Sequence, residues 1–164
     1  MAALYIHIPF CKTRCIYCDF YSGIDLSLRE QYVAALCQEI ALRAHFLPTF
    51  SLQSIYFGGG TPSQLHANDF TTIFATIQQY FTIDSSAEIT LECNPDDLTA
   101  SYVAQLKALP FNRISIGIQS FDDAELRFLN RRHTAQQAQE AVALCQAHGF
   151  DNISIDLMYG LPNQ

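Results

Sequence analysis

The sequence predicts an α/β protein: five parallel strands with helical crossovers, curved into a partial barrel. Three observations predict it. Short apolar runs alternate with segments of helical periodicity along the chain, the order that gives a parallel sheet. The strands alternate apolar with small or polar residues, so only one face of the sheet is greasy. Unusual residues follow each strand, at the C-terminal ends where parallel α/β barrels carry their sites.

Each element has a local cause. Strand one is Leu4–Ile8, with Leu4, Ile6 and Ile8 on one face and Tyr5 and His7 on the other. The helix after it opens on a capping box of Ser27 and Glu30, and Leu28, Tyr32, Leu36 and Ile40 form its stripe. Strand two is Gln53–Phe57, and Phe70, Ile73, Phe74 and Ile77 mark one face of the next helix. In strand three, Ala87–Leu91, Ile89 and Leu91 alternate with Glu88, Thr90 and Glu92. Thr99 caps a helix through Tyr102, Val103 and Leu106 that stops by Pro110. Strand four, Arg113–Ile118, sets Ile114, Ile116 and Ile118 against Ser115, Gly117 and Gln119. Thr134 and Gln137 open the last helix, which buries Ala138, Ala141, Val142 and Cys145 and ends at Gly149. Strand five, Asn152–Leu157, alternates Ile153, Ile155 and Leu157 with Ser154 and Asp156.

A parallel strand covered on both faces is usually apolar throughout. These are not. The greasy face meets the helices, and the concave face is expected to hold a polar ligand; a half-solvated sheet is the plainer alternative.

The 164 residues make one ordinary domain, and 49% hydrophobic content is that of a globular protein. A net charge of −7 argues against nonspecific nucleic-acid binding, which needs a basic face. No apolar run is long enough for a transmembrane helix. The N-terminus MAALYIHIPF lacks the basic region and cleavage site of a signal peptide, so the expected compartment is cytoplasmic. There, clustered cysteines serve as metal or redox ligands more often than as disulfides.

Residues 11–18 read CKTRCIYC, three of the chain's six cysteines within eight residues. A structural zinc site normally takes four protein ligands, often as two pairs; no second pair follows, and His7 is a poor fourth candidate. A disulfide leaves an odd thiol. A [4Fe–4S] cluster normally takes four thiolates, and three leave one iron open to a substrate or cofactor. Spacing and position after strand one point to a metal site. Cys37, Cys93 and Cys145 are expected to be inert core residues. GGGTP (58–62), Glu92 to Pro95, Gln119 with Ser120, and Asp156 with the loop YGLP follow the other four strands toward the same rim.

CxxxCxxC after the first strand of an α/β barrel is the signature of the radical S-adenosylmethionine (SAM) enzymes, which this chain resembles over nearly its whole length. LYIHIPFCKTRCIYCDFYS, YFGGGTPS, LECNPDDL, IGIQSF with the following LNRRH, and IDLMYGLPNQ are together similar to the oxygen-independent coproporphyrinogen III oxidase family. Within it they most resemble the HemW branch, the radical SAM heme chaperones.

The resemblance implies that Cys11, Cys15 and Cys18 bind a [4Fe–4S] cluster, whose open iron is chelated by the amino and carboxylate groups of SAM. One electron then splits the sulfonium bond; a flavodoxin or ferredoxin is the usual reducing protein. Tyr5 and Tyr17 match family positions near cluster and SAM, and Gly59, Gly60 and Thr61 match the loop along the methionine end. Glu92, Gln119, Arg131 and Asp156 match polar SAM contacts, with Arg131 suited to the carboxylate. In the coproporphyrinogen oxidases proper, a further cysteine lies two residues after the third; here that position is Phe20. Those enzymes also carry a long N-terminal extension, whereas Tyr5 stands almost at the start here. Both departures favour heme binding and transfer over coproporphyrinogen decarboxylation, the runner-up, with radical methyl transfer a further alternative.

Family members are more than twice as long. Residues 1–164 are therefore expected to be the N-terminal part of the radical SAM core domain, with the sixth strand, the C-terminal domain and its heme-associated HNxxYW motif absent. Heme or another tetrapyrrole is the expected partner, at a site outside these residues. The side of strand five is expected to be an exposed edge.

Overall fold

The computed structural model describes residues 2–46, 50–162 and 164; residue 163 of the IDLMYGLPNQ motif lies outside them. The elements are β1 (Ala2–Ile8), α1 (Arg29–Arg43), β2 (Ser51–Gly59), α2 (Ala67–Tyr80), β3 (Thr82–Cys93), α3 (Ala100–Lys107), β4 (Arg113–Gln119), α4 (Asp123–Phe128), α5 (Ala135–Ala147) and β5 (Ile153–Leu157). The strands form one sheet in the order β1-β2-β3-β4-β5, and every pairing is parallel. The sheet does not close on itself, so β1 and β5 are its edges. This is the open α/β partial barrel of five parallel strands that the alternation predicts.

The two faces divide as the sequence demands. Ile6, Ile8, Ile55, Phe57, Ile89, Leu91, Ile114, Ile116 and Ile118 are buried against the helices, each worth about 1.5–3 kcal/mol of transfer free energy. Phe57 packs edge-on against Phe70 and Phe111, with ring centroids 5.4 Å away in both cases, so aromatic contacts lock α2 onto β2. The other face carries Tyr5, Tyr56, Glu92, Ser115 and Asp156. β5 is the exception: Ile155 is 41% and Leu157 54% exposed, because among the described residues no helix packs over them.

The predicted helices form, but their ends differ in places. Thr99 accepts from the Tyr102 amide at 3.3 Å, and Thr134 with Gln137 makes the expected capping box. Ser27 and Glu30 do not make theirs. Asp25 instead caps a short 3-10 turn at Leu26–Leu28, accepting from both the amide and the hydroxyl of Ser27, and α1 starts at Arg29. Its carboxylate reaches both donors two residues on, which outcompetes the Ser27 side chain as a cap. β3 begins five residues earlier than its apolar run, because Thr82 and Ile83 pair with Ser51 and Leu52 across a register shift. α4 was not expected; Asp122 opens it by accepting from Ala124 and Glu125 at 2.7 and 3.0 Å.

Candidate functional site

The C-terminal ends of the strands surround a cleft of about 880 Å³, its open mouth included. Its walls hold Cys11, Cys15, Cys18, Tyr17, Gly59, Gly60, Thr61, Glu92, Gln119, Arg131 and Asp156. These positions are separated by up to 145 residues in sequence and meet because every crossover returns the chain to the same rim. Tyr5 is the expected site residue that does not line the cleft. It lies lower on the concave face, more than half exposed, stacked on Tyr56 at 6.1 Å with its hydroxyl 3.3 Å from His7 Nδ1.

The cysteine loop has no regular structure and is pinned from outside. The Cys11 amide donates to Gly23 O at 2.9 Å, Ile16 N to Leu129 O at 3.4 Å, and Asn130 Nδ2 to Arg14 O at 2.8 Å. Two thiols already have donors: Thr61 Oγ1 lies 3.4 Å from Cys11 Sγ, and Arg131 lies 3.4 Å from Cys15 Sγ. All six cysteines are free. Among the described residues, no three Cys, His, Asp or Glu side chains converge on one ion-sized point. Three thiols in one loop are the donor chemistry a cluster of several irons takes, one thiolate to an iron. Cys37 and Cys145 sit away from the cleft as expected, but Cys93 is a buried part of its wall, and burial pushes its thiol up.

The glycines of GGGTP allow close approach. Gly59 has φ +117°, a conformation that side chains rarely adopt, and a Cβ there would sit 2.7 Å from the His7 ring. A Cβ on Gly60 would come 3.1 Å from Cys11 Sγ and 3.0 Å from Phe10 O. The loop thus lies directly on the thiol segment. Gly59 N donates to Glu92 Oε2 at 3.2 Å, and Tyr56 donates to Oε1 at 2.6 Å. Burial raises the Glu92 carboxyl above its ordinary value, with those two donors opposing the shift.

Gln119 ends β4 at φ +73°, after an irregularity in the pairing with β5. A non-glycine residue held there marks a place where the fold overrides backbone preference. Asp156 stands exposed at the mouth. Tyr17 sits between Cys15 and Arg131, and burial raises its hydroxyl above the usual range. Arg131 is more committed than the sequence suggests. It donates to Asn94 Oδ1 at 2.7 Å and to Gly117 O as well as to Cys15, while its Nε is buried with no partner. Next to it, His133 meets Ile118 O at 3.0 Å through Nε2 and leaves Nδ1 buried and unpartnered. Burial, with Arg131 adding to it, pushes this ring down to about 4.

Asn94, which the sequence places at the rim after strand three, lines the cleft, whereas sequence reasoning missed Asn130 and Arg132. Both stood inside the quoted LNRRH motif, and nothing in the spacing of Arg132 marked it. Asn130 carried a signal, since asparagine in a turn often adopts positive φ, and its φ is +58°.

Known proteins resemble this chain closely. The profile of the Radical SAM superfamily matches residues 5–164. The chain is 40% identical to the heme chaperone HemW of Haemophilus influenzae over 168 residues, 99% of this chain and 44% of that protein. It is 38% identical to the oxygen-independent coproporphyrinogen III oxidase of Bradyrhizobium diazoefficiens over 166 residues, 99% of this chain and 37% of that one. It superposes on the coproporphyrinogen III oxidase HemN of Escherichia coli, a radical SAM enzyme, with a TM-score of 0.90 at 32% identity, covering 99% of this chain and 38% of that one. The chain thus spans about two fifths of the length of these relatives. With the cysteine loop after the first strand, the shared cleft and a family match over almost every residue, the chain belongs to the radical SAM superfamily.

Proposed function

We propose that Cys11, Cys15 and Cys18 hold a [4Fe–4S] cluster and that the same cleft binds SAM, in a protein that binds and transfers heme. The carrying observation is the convergence of the three thiols with Gly59–Thr61, Glu92, Gln119 and Asp156 in one cleft. Bound there, cluster and SAM supply one-electron reductive chemistry at a sulfonium. The chain's own residues orient them. Gly59 and Gly60 let this loop lie directly against His7 and the Cys11 thiol, and the half-buried Glu92 carboxylate offers acceptor capacity to hydroxyl or ammonium groups. Arg131 holds Cys15, Asn94 and Gly117 in one arrangement.

Heme transfer is favoured by the similarity to HemW and by Phe20, an exposed residue at the cleft where the oxidases proper carry a further cysteine. The similarity to the Bradyrhizobium oxidase supports the second reading, oxidative decarboxylation of coproporphyrinogen. On either reading, residues 1–164 are the N-terminal part of the core domain, with the remaining strand, the C-terminal domain and the heme site to be sought outside them. Six free thiols suit a reducing compartment such as the cytoplasm. Among the described residues, no helix is long and apolar enough to cross a membrane. A reducing protein of the flavodoxin or ferredoxin kind would deliver the electron.

The test is made on the full-length protein after anaerobic reconstitution. Stoichiometric heme uptake seen in the Soret band, followed by transfer to an apo-hemoprotein, supports the heme-transfer reading. Formation of 5′-deoxyadenosine from SAM together with CO2 from coproporphyrinogen, without heme uptake, replaces it with the oxidase.

A further inference from the structure

Asp97 was no part of the expected site, and its carboxylate does not face the cleft. Its side chain is 3% exposed. Burying a carboxylate this far costs free energy unless close donors surround it. Its donors come from three other loops. Lys12 Nζ, in the cysteine loop, lies 2.5 Å from Oδ1. Ser63 and Gln64, just after GGGTP, donate to Oδ2 at 2.7 and 2.5 Å. Arg132, after α4, lies 3.7 Å from Oδ1 and pairs with the neighbouring Asp96 at 2.6 Å. The Asp97 amide donates to Asn94 O at 3.1 Å, which fixes its place in the loop after β3.

The cysteine loop is also tied at the Cys11 amide by Gly23 O and at the Cys11 and Cys15 thiols by Thr61 and Arg131. On its far side it is held through Arg14 O and the Ile16 amide by Asn130 and Leu129. On the near side the Lys12 side chain reaches across 85 residues of sequence to Asp97. Lys12 is bonded directly to Cys11, the most buried of the three loop thiols. The Lys12 tie thus adds to the bonds that Cys11 itself makes with Gly23 O and Thr61.

We propose that Asp97 is a positioning residue for the cluster: one buried carboxylate that ties the cysteine loop to the loops after β2, β3 and α4 and so sets the spacing of the three thiols. The inference rests on the reading that those thiols bind a cluster. Asp97 touches neither iron nor SAM; it acts through Lys12.

Asp97→Asn keeps the shape and can still accept from Ser63 and Gln64, but its amide group loses the charge that holds Lys12. Lys12→Met removes the same tie from the partly exposed end, without disturbing the buried carboxylate's other donors. Both variants and the wild type are made in the full-length protein and reconstituted anaerobically. Iron and sulfide are counted, EPR spectra of the reduced cluster are recorded, and the rate of iron loss to a chelator is followed. The expected result is wild-type loading at about four irons and four sulfides per chain, at least tenfold faster iron loss in each variant with an altered EPR line shape, and no further loss in the double variant, because both changes cut one link. A merely structural role would move the unfolding midpoint without changing the EPR signal. If both variants load, retain iron and give wild-type spectra, the positioning role is overturned while the cluster reading stands. If the wild type takes up no iron with sulfide, the cluster reading fails and takes this inference with it.

Discussion

Arg131 donates a hydrogen bond to the sulfur of Cys15 at 3.4 Å, joining two residues 116 positions apart. The same guanidinium holds Asn94 and the carbonyl of Gly117. A cation tied to a thiol bears on the electronic state of whatever that thiol binds. Arg131→Met should lower the reduction potential of the cluster, since a donor to sulfur and a nearby positive charge both favour the more negative reduced state. It should also cost about 1–3 kcal/mol of stability as buried acceptors lose their partner. Arg131→Lys keeps the charge but not the forked geometry, and should fall between the two. EPR-monitored redox titration and urea unfolding measure both effects; an unchanged potential in Arg131→Met would show that the guanidinium does not act on the loaded thiolate.

The cysteines separate by role. Replacing Cys11, Cys15 or Cys18 with Ala should abolish the brown chromophore and most of the bound iron and sulfide. Cys37→Ala should leave them intact, because Cys37 lies on α1, packed partly into the core away from the cleft. Visible absorption with iron and sulfide assays decides it, and zinc without sulfide in the wild type would sink the cluster reading.

Gly59→Ala should destabilise the chain by at least about 1–3 kcal/mol, the cost of forcing a side chain into a sparsely populated backbone region. Contact with the His7 ring at 2.7 Å adds to it. Because the Gly59 amide also donates to Glu92, SAM affinity should drop with stability. Denaturant unfolding and equilibrium SAM binding report the two losses, and a substitution neutral in both would refute this account of the loop.

Stability should decline with acid below neutral pH in a way that His133 accounts for. Its ring is held at about 4 in the fold against 6.5 in the unfolded chain. Between these values the unfolded state binds more protons, so stability rises with pH there. The neutral ring's contribution is therefore complete above about 6.5 and is lost as pH falls toward 4. Protonation would place a second charge beside Arg131 and fill the unpartnered Nδ1. His133→Gln, whose amide can still donate to Ile118 O, should flatten this part of the profile in urea titrations from pH 7 to 4. An equal slope in both proteins would assign the acid sensitivity elsewhere.

Much of the fold was legible because its causes are local. Alternation in strands sorts residues to two faces with period two, and that period fixed which isoleucines enter the core. Thr99 and Thr134 announced their helices because a cap acts within three residues. The Ser27–Glu30 box failed for the same reason: Asp25, a better local acceptor, stood two residues earlier. The start of β3 was hidden because Ile83 is the one apolar residue from Thr82 to Ser86, and pairing with β2 rather than apolar character makes this stretch a strand.

By itself the sequence determined the order of elements, the greasy face of the sheet, and the three thiols placed after the first strand. All of these follow from spacings of a few residues. Only the tertiary structure decided what surrounds the thiols. The Asp97–Lys12 tie and the Arg131–Cys15 contact join residues 85 and 116 positions apart, and Tyr5 falls outside the cleft because of its height on the strand. Such contacts arise when parallel crossovers bring strand ends to one rim. No short-range pattern in the chain encodes them.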